Sequence, residues 1–150
     1  MKKLTVAVAV DDEGGMLFYG KRLSKDSVLT AEFIESAAEA AVYASDFSRI
    51  LFAKYPKVKL CENPFEDAED RAYCFIENYH LAPYLDMIDT IIIYRWNRFY
   101  NSDFKLDIDP QKCGYICSKI TEFSGSSHDK ITKEVYENVR RKERACGQKS

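Results

Sequence analysis

The sequence is short of histidine, with two in 150 residues, and it holds a single tryptophan. Two imidazoles cannot furnish a histidine-rich zinc centre. No apolar run approaches the ~18 residues of a membrane-spanning helix, so no membrane segment is expected. No charge of one sign dominates: 22 Lys and Arg stand against 24 Asp and Glu, a net charge of −2. That balance removes the bulk electrostatic signature of a nucleic-acid or membrane-surface partner. Internal repeats, low-complexity tracts and linkers are also missing, so residues 1–150 read as a single globular domain, large enough for a real core. Hydrophobic content of 46% and charged content of 31% are ordinary for such a domain. The five cysteines, Cys61, Cys74, Cys113, Cys117 and Cys146, are odd in number, which reads as reduced intracellular thiols. Met1-Lys2-Lys3 looks like the start of a secretory signal. The apolar run after it, Leu4 to Val10, is short and ends in Asp11-Asp12-Glu13, so it reads as a strand, and the expected location is cytoplasmic.

What is present centres on residues 90 to 109. Thr90 to Trp96 is β-branched and aromatic, as suits a strand buried on both faces. Phe104, Leu106 and Ile108 alternate with Lys105, Asp107 and Asp109, the pattern of a half-buried edge strand. Between them stands Arg95-Trp96-Asn97-Arg98, the lone indole between two guanidinium groups. Upstream, Leu4 to Val10 is a central strand and Met16 to Lys25 a loop. A helix capped by Asp26 or Ser27 carries Leu29, Phe33, Ile34, Ala37, Ala38, Ala41 and Val42, with Glu32, Glu35 and Glu39 opposite. Helical residues Phe47 to Tyr55 stop at Pro56. Lys57 to Leu60 and Ala72 to Ile76 are strands on either side of an acidic, solvated loop. Leu81 to Ile88 is a short helical crossover between parallel strands. Tyr115 to Phe123 is predicted as the last strand. A final helix starts at Gly125-Ser126-Ser127-His128, with Ile131, Val135, Tyr136 and Val139 as its stripe and Arg140-Arg141-Lys142 at its end. Residues 145 to 150 are expected to fray. The fold class is α/β, a mixed sheet flanked by helices.

Several groups are candidates for chemistry. Arg95, Trp96, Asn97 and Arg98 would clamp a carboxylate or phosphate against the indole face; the alternative pairs these arginines with acids such as Asp103 or Asp107. Ser126, Ser127 and His128 would bind an anion at a helix start, weighed against plain capping by serine. Asp11 and Asp12, with Glu13, offer oxygens to a cation, yet adjacent strand residues point to opposite faces, so a solvated turn is favoured and no metal is expected. Cys113 and Cys117 lack the partners of a zinc site and read as two thiols. Ser127 and His128 lack a third orienting group and are not a nucleophile–base pair. His80 reads as a turn residue.

The order of these segments resembles the dihydrofolate reductase-like fold. Its opening strand and glycine turn look like Val8-Ala9-Val10-Asp11 followed by Gly14-Gly15. Its strand, short helix and strand look like Ala72 to Ile76, Tyr84 to Asp89, and Thr90 to Tyr94. The resemblance implies a reduced version of that domain ending in a hairpin, for which Lys105 to Phe123 is the candidate. It also implies that Asp26 is the nearest match to the family's substrate carboxylate at the start of the first helix, and so the catalytic candidate. Two departures stand against reductase activity. Leu23-Ser24-Lys25 replaces the usual Leu-Pro-Trp context, and Ile76-Glu77-Asn78 replaces the glycine pair that lets backbone approach a dinucleotide. No glycine-containing helix start after residue 40 would cradle a phosphate. No cofactor is therefore expected. Weaker likenesses are to small domains that bind iron–molybdenum cofactor precursors, and to small Gram-positive bacterial proteins that carry a ribonuclease Z label, whose zinc site two histidines cannot supply.

The resulting expectation is a non-enzymatic bacterial domain that binds a small anionic molecule or a protein partner at an Arg-Trp-Asn-Arg cleft. The competing class is an enzyme, either a divergent reductase using Asp26 or a metal-dependent hydrolase using Asp11 and Asp12. A third reading makes the same wall a homodimer interface, since exposed Trp and Arg mark hot spots.

Overall fold

The computed structural model describes residues 2–139. The last residues of the expected C-terminal helix, Arg140 to Lys142, and the expected frayed tail lie outside the described residues. Strand β1 (Leu4–Val10) sits in the middle of a seven-stranded sheet, where its apolar run is needed because both faces are covered. Its even residues, Leu4, Val6, Val8 and Val10, enter one core cluster, while Ala7 and Ala9 face the other. Two short strands, β2 (Gly15–Phe18) and β3 (Lys21–Arg22), lie within the segment read as a loop and form a hairpin.

Helix α1 (Ser27–Ala37) packs Leu29, Phe33 and Ala37 over the alanine side of β1, where small residues allow close approach. Fully burying a side chain such as Phe33 contributes about 1.5–3 kcal/mol. The helix ends earlier than its pattern suggests. Ala38 has φ 48°, and Val42 belongs to strand β4 (Val42–Ser45), which the alanine-rich spacing had merged into the helix. A 3₁₀ segment (Asp46–Phe52) follows, then β5 (Val58–Cys61), α2 (Pro64–Asp67, capped by Asn63) and β6 (Tyr73–Phe75). A second 3₁₀ segment (Ala82–Met87) leads into β7 (Ile88–Arg95). The predicted edge strand shortens to β8 (Phe104–Lys105), which pairs with β2 in a separate three-stranded sheet.

Strand β9 (Tyr115–Phe123) is followed by β10 (Ile131–Asn138), and here the expected final helix is overturned. Residues 131–138 pair antiparallel with β7 on one side (Glu134 opposite Ile93) and with β9 on the other (Ile131 opposite Phe123). The helical reading failed because two inward-reaching positions are charged. Lys133 reaches Glu32 at 2.8 Å and Glu134 reaches Arg95 at 2.9 Å, so polar residues break the apolar alternation that marks a strand. The same contact corrects Glu32, which lies against the sheet and accepts the Tyr94 hydroxyl at 2.5 Å. The main sheet runs β5-β4-β6-β1-β7-β10-β9, with β5 to β7 parallel and β10 antiparallel to both neighbours. Chain order reverses around β1, whose neighbours in the sheet are β6 and β7.

Candidate functional site

Asp26 is the hub of the site. It caps α1 and is 3% exposed. Oδ1 accepts the N–H groups of Val28 (2.9 Å), Leu29 (3.1 Å) and Ser126 (3.0 Å). Oδ2 accepts the Ser127 N–H (2.7 Å) and the Ser127 hydroxyl (2.9 Å). Burial alone would push this carboxyl up. The N–H groups of Ser126, Ser127 and Leu29, with the Ser127 hydroxyl, outweigh that and hold it well below the usual carboxylate range. Gly125 makes the approach feasible, since a Cβ there would lie 2.3 Å from Oδ2. The expected anion site at Ser126, Ser127 and His128 is thus a turn between β9 and β10, and the anion its N–H groups hold is the protein's own Asp26.

His128 extends the network inward. Its ring is buried, stacks on Trp96 with centroids 4.6 Å apart, and engages Ser127 Oγ through Nδ1 (2.8 Å) and the Tyr100 hydroxyl through Nε2 (2.7 Å). Ser127 Oγ also has the Asp26 carboxylate and the Lys25 carbonyl as acceptors, each at 2.9 Å, so its proton is directed away from the ring. Nδ1 then carries the ring hydrogen and Nε2 accepts from Tyr100. In that tautomer His128 takes no proton from Ser127, so the pair is not an activated nucleophile. Burial, and then Arg98, lower the readiness of His128 to protonate, against an opposing pull from Asp26.

The four residues of the expected Arg-Trp cleft diverge. Arg95 pairs with an acid, as the alternative reading had it, but with Glu134 rather than Asp103 or Asp107. Trp96 is 5% exposed and turned into the core. Asn97, at φ 59°, donates to Lys130 O (3.2 Å) and Thr132 Oγ1 (2.9 Å). Arg98 is exposed. What the structure does bring together is Trp96, His128, Ser127, Ser126 and Asp26, separated by up to 102 residues in sequence, from Asp26 to His128. Asp11 is equally spent: Oδ1 accepts Glu13 N (2.9 Å) and Gly15 N (2.7 Å), and Oδ2 accepts Tyr100 N (3.1 Å). Asp12 is exposed, and no cluster of three metal-binding side chains occurs among the described residues. His80 stacks on Phe104.

Two features were missed from sequence. The first is a cavity of about 400 Å³ between the start of α1 and the first 3₁₀ segment. Ile50, Leu51 and Tyr55 supply an apolar wall, Ser27 and Ser126 supply hydroxyls, and Lys25 and Lys54 flank it. Both lysines are exposed and make no ion pair among the described residues. The only acid on the lining is Asp26, whose oxygens are already taken. The second is a buried ion pair at the end of β6. Arg22 meets Glu77 through Nε–Oε2 (2.6 Å) and Nη2–Oε1 (2.7 Å), and Ser48 Oγ donates to Oε1 (2.6 Å). Glu77 lies within the stretch Ile76-Glu77-Asn78 that follows β6.

No family model matches the chain, and no curated protein matches it. Among solved structures it is similar to dihydrofolate reductase from Enterococcus faecalis complexed with NADP(H) and RAB-propyl. The likeness has a TM-score of 0.65 and 10% identity, over 90% of this chain and 95% of that one. The fold is dihydrofolate reductase-like. At this identity the likeness speaks for architecture, and function has to be argued from the site. On the dihydrofolate reductase-like scaffold Asp26 does stand at the start of the first long helix, as the resemblance implied. Its five donors leave it ionised and occupied. No helix among the described residues is long and apolar enough to cross a membrane.

Proposed function

We propose that this chain is a small-molecule-binding domain without catalysis of its own, and that its ligand is a compact apolar anion held in the cavity between α1 and the first 3₁₀ segment. The observation that carries this reading is the pairing of an apolar wall with two ammonium groups that make no ion pair among the described residues. Ile50 is 59% exposed on that wall, and Lys25 and Lys54 stand at its rim. Ligand sites typically combine mostly apolar lining with a few fixed polar groups. The non-catalytic half of the reading rests on Asp26, Asp11 and Glu77, each with its oxygens committed to hydrogen bonds within the fold. The Enterococcus enzyme was complexed with NADP(H); here the stretch Ile76-Glu77-Asn78, which carries bulk and the Arg22–Glu77 ion pair in place of the glycine pair of the resemblance, counts against a dinucleotide.

The test uses 2-naphthalenesulfonate, an aromatic anion whose charge is constant across the working pH range, titrated calorimetrically at pH 7.5. One saturable site is expected, weakened at least about tenfold by Lys54→Glu, a reversal of charge at the rim. Absence of saturable binding, or binding indifferent to Lys54→Glu, sinks the reading. Steady oxidation of NADPH with dihydrofolate would restore the reductase alternative. A second reading, a protein partner, is favoured by one observation: Tyr19 and Phe99 are 77% and 58% exposed. Tyr19 N donates to Asp103 Oδ1, which ties its turn to the loop that carries Phe99. Concentration-dependent sedimentation abolished by Phe99→Ser would identify that partner as a second copy.

A further inference from the structure

One face of the molecule is built from two segments that hold each other in place. The first runs from Asp11 to Tyr19, out of β1 and through β2, and the second from Asn97 to Asp103, between β7 and β8. Asp12 N donates to the Arg98 carbonyl (3.1 Å), and Tyr100 N donates to Asp11 Oδ2 (3.1 Å). Further along, Asp103 N donates to the Leu17 carbonyl (3.0 Å) and Tyr19 N to Asp103 Oδ1 (3.0 Å). Gly15 lies so close to Ser102 that a Cβ there would run into its side chain. Each segment carries one residue with left-handed backbone, Tyr19 at φ 48° and Asn97 at φ 59°. That conformation is unfavourable for a side chain as bulky as tyrosine, and here it presents the ring to solvent. Phe99 is also exposed. Backbone strain of this kind collects at working surfaces.

The charges say what covers this face. The backbones of Asp12 and Arg98 are hydrogen-bonded, so their side chains leave from neighbouring points. Both are exposed, and neither makes an ion pair among the described residues. The other acids of the two segments are engaged: Asp11 and Asp103 by backbone N–H groups, and Glu13 by Lys105. An acid and a base left side by side form a self-complementary pattern. A two-fold axis passing between them sets Asp12 of each copy over Arg98 of the other, the same contact made twice. A partner of a single sign would match one of the two charges and repel the other. We infer that this face binds a second copy of the chain, in a symmetric dimer with Asp12 and Arg98 paired across the axis and Phe99 and Tyr19 covered beside it. Such a dimer rests on the partner reading of Tyr19 and Phe99, and it adds the identity of the partner and the register of the contact. The cavity lies on other segments and takes no part.

Charge exchange tests this by sedimentation of the full chain. The wild-type protein should dimerise as its concentration rises toward about 1 mM. Asp12→Arg puts two cations at the axis of each face and Arg98→Asp two acids, so each variant alone should self-associate at least about tenfold more weakly. Mixed in equal amounts, the two variants should form a heterodimer within about threefold of the wild-type affinity, since every cation then meets an acid. Mixing cannot rescue a variant that has merely misfolded, so recovery reports the contact itself. Single variants that associate like the wild type, or a mixture that stays monomeric, would overturn the dimer. A wild-type chain still monomeric at about 1 mM would overturn it as well and hand the partner reading to a different protein. Self-association lost in Phe99→Ser but untouched by either charge variant would keep the partner reading and overturn this pairing.

Discussion

Replacing Asp26 by asparagine keeps the shape of the side chain and removes one acceptor. With the amide oxygen at the Oδ1 position, the N–H groups of Val28, Leu29 and Ser126 stay satisfied. The amide nitrogen then stands where Oδ2 was, 2.7 Å from the Ser127 nitrogen, donor against donor, and the Ser127 hydroxyl loses its carboxylate. Hydrogen bonds to a charged group contribute about 1.5–3 kcal/mol each, so two of them place the loss near 3–6 kcal/mol at neutral pH, toward the lower end because the Ser127 hydroxyl keeps the Lys25 carbonyl at 2.9 Å. The loss is a large part of the roughly 5–15 kcal/mol that holds a domain of this kind together. The pH dependence follows from the direction of the shift. The folded carboxyl is held below its unfolded value of about 3.9, so its contribution is complete above that pH and fades as the pH falls below it. The asparagine variant lacks this component. Urea unfolding of both proteins at pH 7 and at pH 3 should therefore show a wide gap that narrows in acid. A gap under about 1 kcal/mol at pH 7, or one that is the same at both pH values, would refute the assignment of Asp26 as a saturated staple.

Three further outcomes are expected. Gly125→Ala should cost about 1–3 kcal/mol, seen as a lowered Tm, because the new methyl would lie 2.3 Å from Asp26 Oδ2 and 2.7 Å from Ile131 Cδ1. His128, held below its unfolded value of about 6.5, favours the folded state while neutral, so stability should drop as the pH falls through the range just below 6.5, and His128→Gln should flatten that slope in a Tm-against-pH series. Burial pushes the Cys61 thiol up to about 11 and the Cys74 thiol up to about 12, whereas Cys113 is exposed. Iodoacetamide at pH 8 followed by peptide mapping should modify Cys113 in the native protein and leave Cys61 and Cys74 untouched until urea is added.

The strands buried on both faces were readable because burial leaves a plain trace. Leu4 to Val10 and Thr90 to Trp96 have no polar side to maintain, and their order within the chain was enough to suggest the dihydrofolate reductase-like fold. Strand β4 was hidden because Ala38 and Ala41 continue a helical spacing, while the break is a backbone reversal at Ala38 that a side-chain pattern does not record. Strand β10 was hidden because Lys133 and Glu134 satisfy their charges sideways, on Glu32 and Arg95. At the candidate site, the sequence marks residues one by one and hides which of them meet. Asp26, Trp96, Ser126, Ser127 and His128 were all singled out, but nothing in their spacing says that a carboxylate will serve as the anion of a turn 100 residues away. The cavity left no trace for a similar reason. Lys25 and Lys54 look like any solvated lysines until the two segments that carry them lie side by side.

The double use of Asp26 has a consequence for how the chain is made. Its Oδ1 serves Val28 and Leu29 as soon as α1 exists, but its Oδ2 has no donor until residues 125–127 have been synthesised and the β9–β10 hairpin has closed. A nascent chain on the ribosome therefore leaves Oδ2 of this carboxylate to water until the segment 101 residues further on has emerged. Closure of the β9–β10 hairpin is the event that seals the start of that helix.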